Sequence, residues 1–240
     1  MTTNEPPHPF PVGTESPRLL ITAGPTHEPI DAVRYLGNRS SGRLGIDLAE
    51  TAANLGWITT LLLGPTHLSP ASSSLTLTRF RTTADLASLL NRTLPECEIL
   101  IMAAAVADYT PAETNLAGKL RRSESEGLTL KLKPTPDLLA SCGKQARPDQ
   151  LLVGFALEPA EGLEESARKK LIRKGIDLIV ANPLETMESA DIAATLIASE
   201  PLRSFEQQAP RQSKSEFAAW LLPILQAAWL AKRTQSSNTQ

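Results

Sequence analysis

The chain has 240 residues, which is enough for one large domain with a sizeable core. Its net charge of -2 argues against nucleic acid or an anionic membrane as a partner, and no apolar run approaches the roughly 20 residues that span a bilayer. With two cysteines, three histidines and no CxxC pair, neither a zinc site nor a disulfide framework is indicated. We therefore expect a cytoplasmic protein whose own side chains hold no metal.

The first part of the chain alternates predicted strands and helices after a polar start. Residues 1–17, rich in proline and polar groups, are predicted to be a disordered tail. Arg18–Pro25 is predicted to be a strand that ends in a Gly-Pro turn, and Gly42–Gly56 an amphipathic helix that stops at a glycine. Two strands follow, in WITTLLLGP and LTLTRFRT, and then a helix in TADLASLLNRTL with Thr83 as its N-cap.

The rest of the chain continues this alternation. Cys97–Tyr109 is a nearly continuous apolar run, typical of a strand buried on both faces of a parallel sheet. A strand in QLLVGFALE, a helix in LEESARKKLIRKG, a strand in DLIVANP and a final helix that Pro223 is expected to kink complete a domain over 18–232. Residues 233–240 are predicted to be a disordered tail. The pattern predicts an α/β fold with a Rossmann-like, doubly wound, mostly parallel sheet.

One segment, Leu116–Ala140, interrupts the alternation of strands and helices. Its stretches KLRRS and LTLKLK flank a polar turn, and this pattern predicts a β-hairpin. Because neither stretch fits the α/β core, we interpret about 116–140 as an inserted arm that serves as a lid or a dimer contact.

Hydrogen-bonding side chains cluster just before the first helix, in NRSSGRLG. The N–H groups and the dipole at a helix N-terminus favour an anion there. Ser40 and Ser41 are predicted to cap this helix and to donate hydrogen bonds to phosphate oxygens. Capping alone accounts for one serine, but it does not account for Asn38 and Arg39. A dinucleotide site is disfavoured because the G-x-G-x-x-G spacing is absent.

Three lysines form a second group of candidate site residues. Lys119 lies on the arm, whereas Lys170 and Lys174 are one helical turn apart and face the same way. An isolated lysine is usually a solvated charge, but lysines near an anion site can hold a triphosphate or stabilise charge that develops on it. Cys97 and Cys142 lack a histidine partner and are interpreted as core residues.

A series of motifs resembles the phosphopantothenate–cysteine ligase family: TAGPTHEPIDAVRYLGNRSSGRLG, AAAVADYTP, GKLRR, TPDLLA, VGFALE, ARKKLIRKGIDLIVANP and SKSEFA. They occur in the family's order over roughly Arg18 to Ala231. In many bacteria this ligase is the C-terminal half of a bifunctional coenzyme A biosynthesis flavoprotein. The flavin-binding decarboxylase half has no counterpart here, so the resemblance implies a stand-alone ligase without flavin and a separate decarboxylase as functional partner.

The resemblance also implies a reaction in two steps. The carboxylate of 4′-phosphopantothenate attacks the α-phosphate of CTP, with Mg²⁺ bridging phosphate oxygens, to give an acyl-cytidylate and pyrophosphate. The amine of L-cysteine then displaces CMP and forms 4′-phosphopantothenoyl-L-cysteine. Family members are homodimers, which implies that the arm of one subunit covers the site of the other.

Residue roles carry over from the family position by position. The resemblance implies that Lys119 is needed to form the acyl-cytidylate, that Arg34 and Asn38 are needed to convert it into product, and that Ala105 is a small residue in the same pocket. Binding of nucleotide and phosphate is assigned to Gly24, Ser40, Ser41, Gly42, Asp108, Lys119, Pro136, Asp137, Leu138, Leu139, Phe155, Lys170 and Lys174.

Three alternatives stay open. The eukaryotic branch of the family uses ATP, although NRSSGRLG with AAAVADYTP is closer to the bacterial, CTP-using branch. An NAD(P)-dependent reductase needs a glycine fingerprint and usually a Tyr/Lys pair, which Tyr35 and Tyr109 do not supply. A non-catalytic subunit with a decayed site would have lost some of the implied residues.

The chain departs from the family at two places. Pro134 stands where a lysine is common, and the asparagines usual near 190–193 are absent.

Overall fold

The computed structural model describes residues 15–121, 127–186 and 189–237. Its strands are β1 (Arg18–Ala23), β2 (His27–Pro29), β3 (Tyr35–Gly37), β4 (Ile58–Leu63), β5 (Thr76–Arg79), β6 (Ile99–Met102), β7 (Tyr109–Pro111), β8 (Leu132–Pro134), β9 (Leu151–Glu158), β10 (Leu178–Pro183), β11 (Asp191–Ala198) and β12 (Gln207–Ser213). Its α-helices are α1 (Arg43–Asn54), α2 (Thr83–Thr93), α3 (Leu138–Gln145), α4 (Leu163–Lys174) and α5 (Lys214–Ser237). Short 3₁₀ helices lie at Leu94–Glu96, Leu184–Thr186 and Glu200–Phe205.

An eight-stranded sheet forms the centre of the described part of the chain, in the order β12-β11-β10-β9-β6-β1-β4-β5. The strands from β10 to β5 are parallel to their neighbours, and β11 and β12 are antiparallel at one edge. The predicted Rossmann-like, mostly parallel α/β fold is confirmed.

Both faces of the sheet are buried against helices. Because successive residues of a strand point to opposite faces, Leu19 and Ile21 of β1 pack toward α1 and α5, whereas Leu20 packs toward α2, α3 and α4. The largest buried side chains include Phe217 and Trp229 of α5. A sheet covered in this way leaves the ends of its strands as the accessible positions for a ligand.

The predicted long strand at Cys97–Tyr109 is wrong in extent, because β6 ends at Met102. Beyond it the chain crosses the end of β1: the N–H of Ala103 donates to Thr22 O at 3.2 Å, and the N–H of Ala105 donates to Gly24 O at 2.9 Å. These bonds replace the sheet ladder, so an apolar run of small residues becomes a loop over the sheet edge.

Two predicted N-caps are also wrong. The N-cap of α1 is Gly42, at φ 74°, without a side-chain capping bond, and Ser40 and Ser41 accept long 3.4 Å bonds from the N–H groups of Gly42 and Arg43 instead. The N-cap of α2 is Thr82, which forms a capping box with Asp85. Thr83 follows it inside the helix because its hydroxyl and N–H both donate to the buried Glu28 carboxylate at 2.8 Å.

The predicted hairpin within 116–140 differs from the structure. Lys119–Arg121 is not in a strand, residues 122–126 lie outside the described ranges, and β8 includes only the end of LTLKLK. β8 pairs with β7, so that Pro134 lies opposite Tyr109 at a strand end, where its missing N–H is tolerated. Lys119–Arg121, the described part of KLRRS, does not pair in this way, and Asp31 holds Leu120 instead.

The C-terminal helix extends further than predicted. α5 continues past Pro223 to Ser237, and thus through residues 233–237 of the predicted tail, because Arg233 lies 4.7 Å from the Trp229 ring and pairs with Glu15 at 2.7 Å. Neither α5 nor another helix within the described ranges combines the length and the apolar character of a membrane span. Glu15 belongs to the predicted N-terminal tail, of which residues 1–14 lie outside the described ranges.

Close packing of α1 on β1 leads to a stability prediction. A Cβ at Gly45 would lie 2.4 Å from the Cβ of Ala23, a distance that requires the helix to shift. We expect Gly45→Ala to lower the free energy of unfolding, because an overpacking cost of about 1–3 kcal/mol exceeds the gain of about 1 kcal/mol in helix propensity. Urea unfolding measures this change. Gly118→Ala, whose Cβ would meet no atom closer than 3.9 Å, is the control, and equal stability of the two variants would contradict the prediction.

Candidate functional site

Polar loops meet where the strand order of the sheet reverses. From β1 the chain proceeds outward to β4 and β5, and it then returns to the other side of β1 with β6, β9 and β10. Parallel α/β sheets bind ligands at such a switch point, beyond the carboxyl ends of the strands. Two clefts lie at this end of the sheet, one on each side of the loop that follows β6.

The first cleft, called the lysine cleft, has a volume of about 430 Å³. It lies beyond β6 and β9 and against α3 and α4. The predicted site residues that line it are Ala105, Asp108, Pro136, Asp137, Leu138, Leu139, Phe155, Lys170 and Lys174. Sequence positions that are up to 69 residues apart, from Ala105 to Lys174, are thus brought to one cavity.

Both lysines of this cleft are held by carboxylates. Lys170 Nζ donates to the Glu158 carboxylate, and Lys174 Nζ lies 2.7 Å and 2.8 Å from the two carboxylate oxygens of Asp137. Burial acts to raise the pKa of the Asp137 carboxyl, but hydrogen bonds from Lys174 and from the N–H of Ala140 together lower it. Asp137 therefore serves both as the N-cap of α3 and as the group that fixes the Lys174 ammonium.

The loop between β6 and β7 is fixed by hydroxyl groups below it. The N–H of Ala107 donates to Thr26 Oγ1 at 2.9 Å, and the hydroxyl of Thr135 donates to Ala107 O. The N–H of Thr135 donates to Asp108 O at 2.9 Å. These bonds fix the backbone at Asp108 and leave its exposed side chain at the rim of the lysine cleft.

The second cleft, called the serine cleft, has a volume of about 1200 Å³ and lies beside the N-terminus of α1. Asn38, Ser40 and Ser41 are the predicted site residues in its lining. Asn38 Nδ2 donates to Val106 O at 3.0 Å, and Val106 lines the lysine cleft. Asn38 thus lies at the junction of the two clefts.

Cations outnumber carboxylates in the described lining of the serine cleft. The lining contains the cations Arg39, Arg43, Arg79 and Lys214 and a single carboxylate, Asp47. Burial lowers the pKa of the Lys214 ammonium and raises the pKa of the Asp47 carboxyl. A cleft with this charge balance, at a helix N-terminus, suits an anionic ligand.

Arg34 and Lys119, to which the family resemblance assigns catalytic roles, line neither cleft. The Arg34 guanidinium pairs with the Asp31 carboxylate, and its Nη2 also donates to Leu120 O at 3.0 Å. Lys119 is exposed beside this contact.

Gly24 and Gly42 also lie behind the clefts. Both have positive φ, and a Cβ on Gly42 would lie 3.2 Å from Gly24 N. Glycine at both positions allows α1 to approach the end of β1 closely.

Three residues at or near the clefts were given no role from the sequence: Asp31, Arg173 and Lys214. Asp31 stands three positions before Arg34, a spacing that pairs an acid with a base, but its burial depends on contacts distant in sequence. Arg173 lines the lysine cleft one turn beyond Lys170, and the signal for it was the same helical spacing. Lys214 lies in the SKSEFA motif, which was used for the resemblance without a role for the lysine.

The buried Asp31 carboxylate leads to a pH prediction. The hydrogen bond from the Arg34 guanidinium lowers the pKa of this carboxyl well below its ordinary value, against the effect of burial, and N–H groups of Arg34, Val33 and Leu120 add to the lowering. The folded pKa lies below the unfolded value of about 3.9, so the contribution of Asp31 to stability is complete above that pH and is lost as the pH falls toward the folded pKa. We expect the difference in Tm between wild type and Asp31→Asn to be largest near neutral pH and to shrink below about pH 4. A difference independent of pH would contradict this assignment.

A phosphate-bound Mg²⁺ ion fits the lysine cleft in its donor chemistry. Mg²⁺ is usually held by one or two carboxylates together with substrate phosphates. Asp137 is engaged by Lys174, whereas Asp108 forms no ion pair within the described ranges and points to the cleft rim. In the part of the chain that the structure describes, no group of three or more His, Cys, Asp or Glu side chains is placed to hold a metal ion.

The fold and these clefts define a class, a Rossmann-like α/β protein with two adjoining polar clefts at the switch point of its sheet. Residues 14–228 match the family described as DNA/pantothenate metabolism flavoprotein C-terminal domain, and the chain belongs to that family. The family predicted from the sequence motifs is confirmed.

Three relatives show how far the similarity extends. A cysteine/cysteine sulfinic acid decarboxylase from an unknown prokaryotic organism is 45% identical over 176 residues, which is 72% of this chain and 48% of that protein. The coenzyme A biosynthesis bifunctional protein CoaBC of Vibrio cholerae is 36% identical over 213 residues, 87% of this chain and 52% of that protein. A crystal structure of the C-terminal domain of CoaBC is 33% identical, with a TM-score of 0.73, and the match covers 88% of this chain and 94% of that one. The chain spans about half the length of the curated relatives it matches.

Proposed function

We propose that the chain is a phosphopantothenate–cysteine ligase of coenzyme A biosynthesis that activates its substrate with CTP. The observation that carries this proposal is the junction of the two clefts at Asn38. One cleft offers lysines for a triphosphate, and the other offers a cationic helix N-terminus for a phosphate monoester. The Asn38 amide lines the second cleft and donates to the carbonyl of Val106, which lines the first. A ligase that joins a nucleotide to a phosphorylated acid needs two anion sites beside one reaction centre.

In the first step the lysine cleft holds CTP and the serine cleft holds 4′-phosphopantothenate. A carboxylate oxygen attacks the α-phosphorus, the bond from that phosphorus to the pyrophosphate oxygen breaks, and pyrophosphate leaves with the electron pair. Lys170 and Lys174 exchange their carboxylate partners for phosphate oxygens. Lys119, which lines neither cleft of its own subunit, offsets the charge on the leaving group from the arm of the second subunit. A Mg²⁺ ion held by the phosphates would neutralise part of that charge, and Asp108 would be a protein ligand to it, which revises the expectation that no side chain holds a metal.

In the second step the amine of L-cysteine attacks the acyl carbon of the acyl-cytidylate. The C–O bond to the cytidylate breaks, CMP leaves, and the amine loses a proton as the amide forms. Asn38 Nδ2 donates to the acyl oxygen. The positive charge of the Arg34 guanidinium, four positions before Asn38 and outside both clefts, helps to stabilise the tetrahedral intermediate. Ala105 leaves room for the acyl group because a longer side chain would fill the cleft junction.

The names of the relatives support a protein of coenzyme A biosynthesis in preference to an NAD(P)-dependent reductase. Proteins named CoaBC recur among the relatives, for example in Bacillus subtilis at 40% identity over 171 residues, and the domain structure that matches is the C-terminal one. The decarboxylase name belongs to a protein of which the chain matches 48%, so it describes more than the shared part. In the cell we expect a cytoplasmic enzyme whose product is the substrate of a decarboxylase.

Apolar side chains on the arm support a homodimer. Leu116, Leu128, Leu130 and Leu132 of the arm are each at least 39% exposed, as is Tyr109 of the adjacent β7. Leu128, Leu130 and Leu132 alternate in sequence and so share one face of an extended chain. We expect light scattering to give twice the 25.9 kDa of one chain, and the double variant Leu130→Asp, Leu132→Asp to give a monomer. A monomeric wild type would contradict the homodimer.

Pyrophosphate release tests the proposed activity. The assay supplies Mg²⁺, 4′-phosphopantothenate and each of the four nucleoside triphosphates in turn, with and without cysteine. We expect release with CTP that requires phosphopantothenate and accelerates with cysteine. Equal turnover with ATP would contradict CTP specificity but would still support a ligase. No pyrophosphate release with any of the four nucleotides would favour a non-catalytic subunit.

A further inference from the structure

Asp31 is a buried carboxylate outside both clefts. Its side chain has an exposed fraction of 0%, although it lies in the connection between β2 and β3 and not in the core of the sheet. One carboxylate oxygen accepts the N–H groups of Val33 and Arg34 at 2.9 Å and 2.7 Å. The other accepts the Arg34 guanidinium and, at 3.0 Å, the N–H of Leu120.

These contacts anchor the arm on both sides of Lys119. The N–H of Ala32 donates to Gly118 O at 3.2 Å, just before Lys119. Just after it, Leu120 is bound through its N–H to Asp31 and through its carbonyl to the Arg34 guanidinium at 3.0 Å. The position of the Lys119 backbone is thus set by a turn located 89 residues away from Leu120 in sequence.

We propose that Asp31 is a positioning residue that holds Arg34 and the backbone of Lys119 in the geometry required for both steps of the reaction. The catalytic part of this inference rests on the proposed function, because Lys119 and Arg34 act in its first and second step. Asp31 touches neither substrate. It acts through the two side chains whose placement it fixes.

A carboxylate is needed here because every group around it is a donor. In Asp31→Asn one oxygen still accepts the N–H groups of Val33 and Arg34, but the new NH₂ group faces the Leu120 N–H and the Arg34 guanidinium. Donor facing donor leaves the Leu120 N–H without a partner and removes the charge that holds the guanidinium, which keeps its bond to Leu120 O. The arm near Lys119 and the Arg34 side chain are therefore both held less firmly.

Loss of Asp31 is expected to slow both steps of the reaction, whereas loss of Lys119 or Arg34 alone is expected to slow one of them. Misplacement of reacting groups by about 1 Å can cost about 10²-fold in rate. We expect Asp31→Asn to slow both pyrophosphate release and the conversion of the acyl-cytidylate into product by about 10²-fold in kcat, with little change in KM. Leu120→Pro, which removes the Leu120 N–H but leaves the Asp31–Arg34 pair, is expected to slow only the first step.

Hydrogen exchange of the free protein tests the anchor without reference to activity. We expect amides in residues 113–121 to exchange faster in Asp31→Asn than in wild type. Glu113→Gln, an exposed acid on the same segment, is the matched control and should exchange like wild type. Unchanged exchange in Asp31→Asn would overturn the proposal. If Asp31→Asn does not fold, the same measurements are made on Leu120→Pro. Unchanged exchange together with full first-step activity in Leu120→Pro would overturn the proposal.

Failure of this inference is distinguishable from failure of the proposed function. If wild type releases no pyrophosphate with any nucleotide, the ligase and the catalytic role of Asp31 both fail, while exchange still decides whether Asp31 anchors the arm. If wild type is active and Asp31→Asn exchanges faster but keeps both rates, the anchor exists and its positioning role is refuted. Loss of both rates together with faster exchange supports the proposal.

Discussion

Lys119→Gln is expected to stop the first step and to leave the second intact. Glutamine keeps most of the length of the side chain but removes the cation that offsets the charge on the leaving pyrophosphate. Removal of one such group typically lowers kcat by about 10²–10³-fold, and we expect a loss of this order in pyrophosphate release from CTP. Because Lys119 has no part in the attack by cysteine, the variant should convert separately prepared acyl-cytidylate into product at the wild-type rate.

The control for Lys119 is a lysine of similar exposure that lies outside both clefts. Lys144→Gln, near the end of α3, should release pyrophosphate like wild type. Equal losses in Lys119→Gln and Lys144→Gln would point to a general charge effect. A loss in the second step but not in the first would contradict the role of Lys119.

Asn38→Asp is expected to cause the opposite defect, an accumulation of acyl-cytidylate. The Asn38 amide donates to Val106 O at 3.0 Å at the junction of the clefts, and a carboxylate cannot make that bond. The negative charge also opposes the oxyanion that forms when cysteine attacks. We expect one burst of pyrophosphate per active site, followed by product formation that is slower than in wild type by about 10²–10³-fold. Quenched-flow sampling with mass detection of the acyl-cytidylate measures both phases.

The same substitution away from the site serves as the control for Asn38. Asn91 is exposed on α2, and Asn91→Asp should show wild-type turnover without a trapped intermediate. If Asn38→Asp released no pyrophosphate at all, Asn38 would act in the first step. The assignment of Lys119 to the first step and of Asn38 to the second would then be wrong.

The fold could be predicted from the sequence because its signal is local. Period-two and period-3.6 patterns over short windows were sufficient to indicate the α/β alternation, and the buried strand and helix faces followed from them. The predictions failed where a distant residue decides the local conformation. Thr83 is not an N-cap because Glu28, 55 residues away, takes its donors. Lys119–Arg121 does not form a hairpin strand because Asp31 holds Leu120.

The candidate site was predictable to the extent that motifs mark it. The lysine cleft collects the nucleotide-binding set that the resemblance implied, and Asn38, Ser40 and Ser41 line the adjoining cleft. Their roles stay predictions. The position of Arg34 and Lys119 outside both clefts was not predictable, because it follows from the burial of one carboxylate by contacts across the chain.

The measurement that tests the central claim most directly is the transfer of oxygen from the acid to CMP. With both carboxylate oxygens of 4′-phosphopantothenate labelled with ¹⁸O, an acyl-cytidylate contains one labelled oxygen between carbon and phosphorus. Attack by cysteine breaks the carbon–oxygen bond, so we predict one ¹⁸O atom in each CMP and one in the amide product, as read by mass spectrometry. CMP without label, or label in pyrophosphate or orthophosphate, would contradict activation through an acyl-cytidylate.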